Sequence, residues 1–200
     1  MRVEATSISG SWIFTPTLHH DDRGVFLESF TQTAFLGATN HPLHLKQGNV
    51  SVSSRGTVRG IHFADVPPGQ AKYVQCYAGR ILDVVVDIRV GSPTFGQWEA
   101  VELNSESRQA LYIAEGLGHA FCALSESATV GYLCSEPYAP TREHGINPLD
   151  SGLGISWPEE LDLQLSPKDA SAPSFAEATK SGLLPIWDEC RKFYVALRGN

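Results

Sequence analysis

The chain has 200 residues, a length at which a single all-β domain is ordinary, and its 42% hydrophobic and 18% charged residues are a balance that can fill a core. The formal net charge of −7 argues against a general nucleic-acid or anionic-membrane partner. The sequence opens with no basic segment followed by an apolar run, and no apolar stretch reaches membrane-spanning length. We therefore expect a cytoplasmic protein with no membrane partner.

Short β-strands are predicted for most of the chain, because runs rich in Val, Ile, Phe and Tyr are separated by Gly, Pro, Asn and Asp. In chain order, the predicted strands are Gly24–Phe30, Gln47–Ser53, Val58–Phe63, Lys72–Gly79, Ile81–Arg89, Gln97–Leu103, Gln109–Ala114, Ala120–Ala123 and Thr129–Ser135. Their spacing predicts a sandwich or a barrel, with no second domain.

Helix signals are sparse. A short helix is predicted near Thr33–Leu36, and a longer one from Leu184 to the C-terminus, where large residues recur at steps of three and four. Ser166–Ser181 is rich in Ser, Ala and Pro and is predicted to be a connecting segment.

Two predicted strands place a polar residue on an apolar face. In Lys72–Cys76, alternation puts Lys72 on the face of Val74, and in Ala128–Cys134 it puts Tyr132 on the face of Val130. If both faces point inward, a lysine and a tyrosine project into a largely apolar cavity. A buried lysine is costly unless it has a partner or a task.

His62 and Lys72 lie on neighbouring predicted strands separated by the Pro67–Gly69 turn, so one hairpin brings a titratable base and a fixed cation together. This pair suits removal of a proton next to a carbonyl, because the imidazole can take the proton while the ammonium stabilises the enolate oxygen. Each residue also has a structural interpretation: a lone strand histidine is usually only a satisfied structural residue, and a strand-end lysine can reach water.

Further candidates are weaker one by one. The Tyr132 phenol could transfer a proton or be an ordinary core aromatic, and His119 in the EGLGHAF segment could line a site or belong to a turn that needs its glycines. Arg23 and Arg59 could bind a diphosphate or simply be solvated. The amides of Gln47 and Asn49 share one strand face and could bind a ligand or cap a turn.

The order of these motifs is more specific than any one of them. The segments DDRGVFLESF, QGNVSVSSRGTVRGIHF, QAKYVQC, GRILDVVVDIR with GSPTFG, and EGLGHAF, followed by the Tyr132 segment, occur in one sequence. Together they resemble the dTDP-4-dehydrorhamnose 3,5-epimerase family, including its 3-epimerase relatives from antibiotic deoxysugar pathways. The resemblance covers roughly Ser9 to Asp169.

The resemblance implies an all-β fold, a cupin-type jelly roll with a few short helices, and a substrate that is a dTDP-linked 4-keto-6-deoxy sugar. It implies a homodimer that exchanges N-terminal strands and uses no metal or organic cofactor. The chain would form one domain over 1–200, with N-terminal strands in 1–46, the jelly-roll core in 47–140 and a C-terminal segment and helix in 166–200.

By the same resemblance, His62 looks like the catalytic base and Asp169 like the carboxylate that pairs with it. Lys72 looks like the enolate stabiliser, and Tyr132 like the acid that reprotonates carbon from the opposite ring face. The positions that match nucleotide, diphosphate or sugar contacts are Arg23, Glu28, Gln47, Asn49, Arg59, His119, Glu143 and Lys168.

Several segments depart from the pattern of the rhamnose enzymes. Gly48 and Val50 replace more polar residues, Phe63-Ala64 stands where Tyr-Gln is common, and EGLGHAF differs from the usual Gly-Phe-Ala-His. These departures favour a member of a secondary-metabolite pathway. They leave open whether C3 alone or both C3 and C5 are inverted.

Two other functions compete with an epimerase. A metal-dependent cupin oxygenase would need several His or carboxylate ligands, but Phe63, Ala64 and Asp65 follow His62 where a second histidine would be expected. A non-catalytic sugar-nucleotide binding module would need the arginines but has no use for a base, a cation and a phenol together.

Overall fold

The computed structural model describes residues 1–199, and within them it contains thirteen strands and four helices. The strands are β1 (Arg2–Ala5), β2 (Ser11–Thr15), β3 (His19–Asp21), β4 (Gly24–Phe26), β5 (Gln47–Ser54), β6 (Val58–Ala64), β7 (Lys72–Ala78), β8 (Arg80–Val86), β9 (Trp98–Asn104), β10 (Ala110–Ile113), β11 (Gly118–Ala123), β12 (Ser127–Cys134) and β13 (Glu143–Gly145). The helices are α1 (Gln32–Thr39), α2 (Pro167–Ala170), α3 (Phe175–Lys180) and α4 (Trp187–Arg198).

The strands form two antiparallel sheets and a separate hairpin. One sheet has six strands in the order β1-β2-β10-β7-β12-β5, and the other has five in the order β13-β6-β11-β8-β9. Strands β3 and β4 pair only with each other among the described residues. Neighbouring strands are mostly not consecutive in the chain, as in a jelly roll, and the predicted all-β jelly-roll fold is confirmed.

Alternation along the strands builds two hydrophobic cores. Val74 of β7 and Val85 of β8 belong to the core between the sheets, whereas Val84 and Val86 of β8 pack on the outer face of the five-stranded sheet. That outer core also contains Trp157 and other residues of the C-terminal third. The five-stranded sheet is therefore buried on both faces, which holds its side chains firmly in place.

A buried ion pair joins the C-terminal helix to the sandwich. Arg89 and Asp87 have fully buried side chains, and Arg89 Nη2 donates to Asp87 Oδ2 at 2.8 Å. The guanidinium also lies 4.4 Å from the centre of the Trp187 ring and donates to the hydroxyl of Tyr194 at 3.3 Å, both in α4. The amphipathic pattern that predicts this helix is confirmed, although the helix begins at Trp187 and not at Leu184.

Several elements differ from their predicted bounds. Strands β1, β2, β3 and β13 were not predicted, and the predicted strand Gly24–Phe30 ends at Phe26. The segment predicted to be only a connection contains α2 and α3, each started by a serine whose side chain accepts a backbone N–H. In the described part of the chain, none of the helices has the length and hydrophobicity needed to span a membrane.

Candidate active site

A cavity of about 170 Å³ opens between the two sheets. Its lining residues are Asn49, Arg59, His62, Gln70, Lys72, His119, Phe121, Tyr132, Cys134 and Glu143. The five-stranded sheet supplies both histidines, and the six-stranded sheet supplies Lys72 and Tyr132. Lys72 and Tyr132 thus face inward, the condition on which the sequence argument depended, and they lie on the wall opposite the histidines. The predicted hairpin between the His62 and Lys72 strands is wrong, because β6 and β7 belong to different sheets and meet only across the cavity.

His62 is held by a carboxylate from a distant part of the chain. Its Nε2 lies 2.7 Å from Oδ1 of Asp169, whose side chain is only 7% exposed. Asp169 lies in α2, and the Ser166 hydroxyl accepts its backbone N–H at the start of that helix. Because an ionised carboxylate can only accept, Nε2 carries the hydrogen and Nδ1 is left with a free lone pair.

The environment keeps Asp169 ionised. Burial by itself raises the pKa of this carboxyl group. The hydrogen bond and charge of His62, together with the Ser166 hydrogen bond, lower the pKa by more than burial raises it, so the net shift is downward. An ionised Asp169 can orient the His62 ring and stabilise the imidazolium that forms when His62 takes a proton.

Lys72 and Tyr132 are placed by the pairing of β7 with β12, in which Lys72 is opposite Cys134 and Tyr132 is opposite Val74. Burial lowers the pKa of Lys72, against the opposing effect of nearby Cys134 and Glu143. Burial also raises the pKa of Tyr132, so its phenol stays protonated at neutral pH and can give up a proton only to a strong base such as a carbanion.

His119 forms a second histidine–carboxylate pair in the same cavity. It is opposite His62 in the β6–β11 register, and its Nε2 lies 2.7 Å from Oδ1 of the fully buried Asp83. Burial lowers the pKa of His119, so the ring is neutral and its Nδ1 is an acceptor. The ring packs edge-on against Tyr132, with 6.1 Å between ring centres, and this contact fixes the phenol.

A groove adjoins the cavity at Arg59 and His62. It has a volume of about 360 Å³ and includes Gln164, Lys168 and Asp169. Arg59 is anchored because its Nε donates to Ser53 Oγ at 3.1 Å. Cavity and groove together carry three cations, namely Lys72 inside the cavity, Arg59 where the two meet and Lys168 in the groove. Arg59 and Lys168 suit the anionic end of a ligand whose other end enters the cavity.

Three predicted site residues lie outside the lining. Arg23, in the β3–β4 turn, has a side chain that is 90% exposed and pairs with Asp21, and Glu28 is also exposed. Gln47 contacts the site indirectly, since its Nε2 donates to Oδ1 of Asn49 at 2.9 Å.

Four residues that line the cavity or support its side chains were not predicted, and neither was Gln164 of the groove. Gln70, Phe121 and Cys134 line the cavity, and Asp83 holds His119. Strand alternation could have predicted Phe121 and Cys134, because each lies two positions after a predicted site residue, His119 or Tyr132, and therefore on the same face of its strand. Asp83 carried no signal beyond being an acidic residue in an apolar strand.

The side chains of the site do not form a set of metal ligands. Within residues 1–199 there is no group of three or more His, Cys, Asp or Glu side chains arranged to hold a metal ion. Lys72 would also place a positive charge in the same cavity as a metal. The cupin oxygenase alternative is therefore not favoured.

A family model described as dTDP-4-dehydrorhamnose 3,5-epimerase matches residues 5–177. The chain is 55% identical over 200 residues to a dTDP-4-dehydrorhamnose 3,5-epimerase of Mycolicibacterium smegmatis, covering 100% of this chain and 98% of the relative. It is 53% identical over 191 residues to a dTDP-4-dehydrorhamnose 3-epimerase of Streptomyces niveus, covering 96% of this chain and 92% of the relative.

Solved structures agree. The rmlC epimerase of Mycobacterium tuberculosis matches with a TM-score of 0.97 and 47% identity, over 99% of this chain and 100% of that chain. A 3'-monoepimerase from Streptomyces bikiniensis, solved in complex with dTDP-quinovose, matches with a TM-score of 0.96 and 47% identity, over 98% of this chain and 99% of that chain. On fold, family model and identity, the chain belongs to the dTDP-4-dehydrorhamnose 3,5-epimerase family.

Proposed function

We propose that the protein is an epimerase that inverts C3 of a dTDP-linked 4-keto-6-deoxyhexose in deoxysugar biosynthesis. The observation that carries the proposal is the placement of His62 and Tyr132 on opposite walls of one cavity, with Lys72 in the same lining. Inversion needs a proton acceptor on one face of the sugar ring and a donor on the other. C3 is the centre shared by the 3- and 3,5-epimerases that this chain resembles.

In the first step, Nδ1 of His62 removes the proton from C3, which the C4 ketone acidifies. The C–H electron pair becomes the C3–C4 double bond, and the negative charge moves to the ketone oxygen. The ammonium of Lys72 donates a hydrogen bond to this enolate, and Asp169 stabilises the imidazolium. Removing one such donor typically costs about 3–4 kcal/mol of transition-state stabilisation.

In the second step, the Tyr132 hydroxyl donates its proton to C3 from the other face, and the ketone reforms. The phenolate then regains a proton from solvent, and His62 loses one to solvent. The net reaction is a change of configuration with no gain or loss of electrons, so the chemistry itself calls for no metal or organic cofactor.

The remaining predicted residues would bind the substrate. Arg59 and Lys168 are the cations of the groove and suit the diphosphate, because guanidinium and ammonium groups both bind phosphate oxygens. Asn49, Glu143 and His119 lie in the cavity and offer acceptors and donors to sugar hydroxyls. Gln47 supports Asn49 through their hydrogen bond.

Arg23 and Glu28 would reach a site only in a second copy of the chain. The β3–β4 hairpin that carries Arg23 leaves Phe26 70% exposed, and the edge strand β5 leaves Val50 67% exposed and Val52 66% exposed. Exposed apolar residues on an unpaired sheet edge favour addition of another strand. We therefore extend the proposal to a homodimer in which the β3–β4 hairpin of the 1–46 segment crosses to the partner chain, while β1 and β2 stay paired in their own chain's sheet. A cytoplasmic location stays a prediction.

Mixing two inactive variants tests the exchange. If each site combines His62 of one chain with Arg23 of the other, heterodimers of Arg23→Ala and His62→Asn contain one intact site. Because heterodimers form half of a random mixture, about a quarter of wild-type activity returns after unfolding and refolding together. No recovery, with a dimer verified by light scattering, would place Arg23 and His62 in the same chain's site. An Arg23→Ala variant that is active by itself would remove Arg23 from the site.

The catalytic proposal is tested by incubating the protein with dTDP-4-keto-6-deoxyglucose in D2O and following the sugar by proton NMR. Deuterium at C3 with inversion of that centre is the expected result. Exchange and inversion at C5 as well would identify a 3,5-epimerase. Binding of the nucleotide sugar without any exchange would contradict the proposal and favour a binding module.

A further inference from the structure

A second cavity, separate from the catalytic one, lies where the C-terminal helix meets the sandwich. Its volume is about 150 Å³, close to that of cavities that bind a molecule the size of benzene. Most of its wall is apolar, from Pro42, Leu43, Pro68, Phe193 and Leu197. The polar residues of the lining are His41, His44, Lys46, Tyr112, Glu115, Ser135 and Glu136.

Two buried polar atoms in this lining have no hydrogen-bond partner among the residues that the structure describes. They are Oε2 of Glu115, a residue that is 3% exposed, and the hydroxyl oxygen of Tyr112, which is 0% exposed. The other carboxylate oxygen, Oε1, accepts a hydrogen bond from Ser135 Oγ at 3.2 Å. Buried polar atoms are nearly always paired in folded proteins, so this pair of atoms points to a ligand.

His41 adds a third acceptor. Its Nδ1 lies 3.1 Å from the carbonyl oxygen of Pro42, which can only accept, so Nδ1 carries the hydrogen. Burial lowers the pKa of His41, which keeps the ring neutral and leaves Nε2 as an acceptor. The His41 and Tyr112 rings lie side by side, with 6.4 Å between ring centres.

The charges around Glu115 favour a cation. Burial raises the pKa of Glu115 to about 7, so a nearby positive charge would be needed to keep it ionised. Lys46, which faces the cavity, is already paired with Glu136. Tyr112 and Tyr194 have raised pKa values from burial and stay neutral, and His44 is the remaining titratable group of the lining.

We propose that this cavity binds a small primary ammonium compound with a short alkyl tail. The three N–H groups of the ammonium meet the acceptors of Glu115, Tyr112 and His41, and the tail packs against Phe193, Leu197 and the two prolines. A charge-assisted hydrogen bond to the carboxylate gives the ammonium its advantage over a neutral molecule of the same shape.

Titration of the full-length protein with n-butylammonium chloride and with n-butanol, followed by NMR or calorimetry, tests the proposal. The amine is expected to bind at least about tenfold more tightly than the alcohol at pH 8. Between pH 8 and pH 6 its affinity falls by about tenfold, because the ionised fraction of a carboxyl group with a pKa of about 7 falls by that factor.

Glu115→Gln removes the charge and is expected to abolish the preference for the amine, and Tyr112→Phe weakens amine binding several-fold. Glu143→Gln changes a carboxylate of the catalytic cavity and leaves amine binding unchanged, which separates the two cavities. The proposal is overturned if the amine shows no saturable binding at pH 8, if the alcohol binds equally well, or if Glu115→Gln binds the amine like wild type.

Discussion

His62 Nε2 and Asp169 Oδ1 lie 2.7 Å apart, although 107 positions separate the two residues in the chain. The short helix α2 brings Asp169 to the end of β6, and the Ser166 cap sets its orientation. His62, the proposed proton acceptor, is therefore held by a segment that packs outside the jelly-roll sheets.

Asp169→Asn is expected to lower kcat by roughly 10²–10⁴-fold with little change in KM, since the amide no longer favours the active tautomer or stabilises the imidazolium. Steady-state kinetics measures this change in kcat.

The stabilisation that ionised Asp169 gives the fold is present above its unfolded-state pKa near 3.8 and is lost as pH falls through the lower folded-state pKa. Unfolding at pH 7 and pH 3 should show a larger wild-type advantage at pH 7 than at pH 3.

His62→Asn is expected to abolish deuterium incorporation from D2O, because the variant lacks the imidazole that Asp169 orients. The matched control is His144→Asn. His144 Nε2 lies 2.8 Å from Asp65 Oδ1, so it also forms a histidine–carboxylate pair, but it does not line the cavity. Wild-type exchange in the His62 variant would remove His62 from the role of base.

Tyr132→Phe is expected to separate exchange from inversion. His62 can still remove the proton and return deuterium to the same face, whereas the donor for the opposite face is gone. Proton NMR in D2O should then show deuterium at C3 with inversion slowed by about 10²-fold or more. Inversion at the wild-type rate would show that another group delivers the proton.

Lys72→Met is expected to remove turnover without lowering the free energy of unfolding. Burial lowers the pKa of Lys72, so the folded state pays to keep the ammonium charged, and Met fills similar space without that cost. In wild type the unfolded chain holds this proton up to about pH 10.5, so stability relative to the variant rises with pH between the two pKa values. Activity assays check the loss of turnover, and urea unfolding at several pH values checks the free energy of unfolding. A variant that is clearly less stable than wild type would contradict the stability prediction.

Arg89→Met is expected to lower the free energy of unfolding by about 3–5 kcal/mol, because it leaves the carboxylate of Asp87 buried without its cation. Arg191→Met is the control. Arg191 belongs to an ion pair whose side chains are 63% and 75% exposed, and such pairs contribute about 0–1 kcal/mol. Urea titrations of both variants give the comparison, and equal effects would show that the buried pair has no special role.

The central strands could be predicted because their alternation is regular. Alternation puts Lys72 on the face of Val74 and Tyr132 on the face of Val130, so both side chains enter a cavity if those faces point inward, as they do in the structure. The short strands β1 and β2 carried no comparable signal, because β2 is defined mainly by its pairing with β10. Such pairing depends on residues about a hundred positions away.

The partner of each histidine was harder to predict from physics alone. Many carboxylates could pair with His62, and only the family resemblance selected Asp169. Asp83 lies on the inward face of β8, where a carboxylate is costly until His119 comes within hydrogen-bonding distance from the neighbouring strand. Spacing along one strand cannot reveal such a contact.

His62, the proposed base, and the phenol of Tyr132 belong to different sheets, so the distance between them is set by the residues packed between those sheets, such as Val74, Ile81 and Val85. Stereochemical selectivity is thus partly encoded in the interior of the sandwich. A bulkier side chain there would spread the two walls and change which ring carbons can be approached from both faces. Attempts to engineer inversion at two ring carbons in place of one can therefore target core residues that do not contact the sugar.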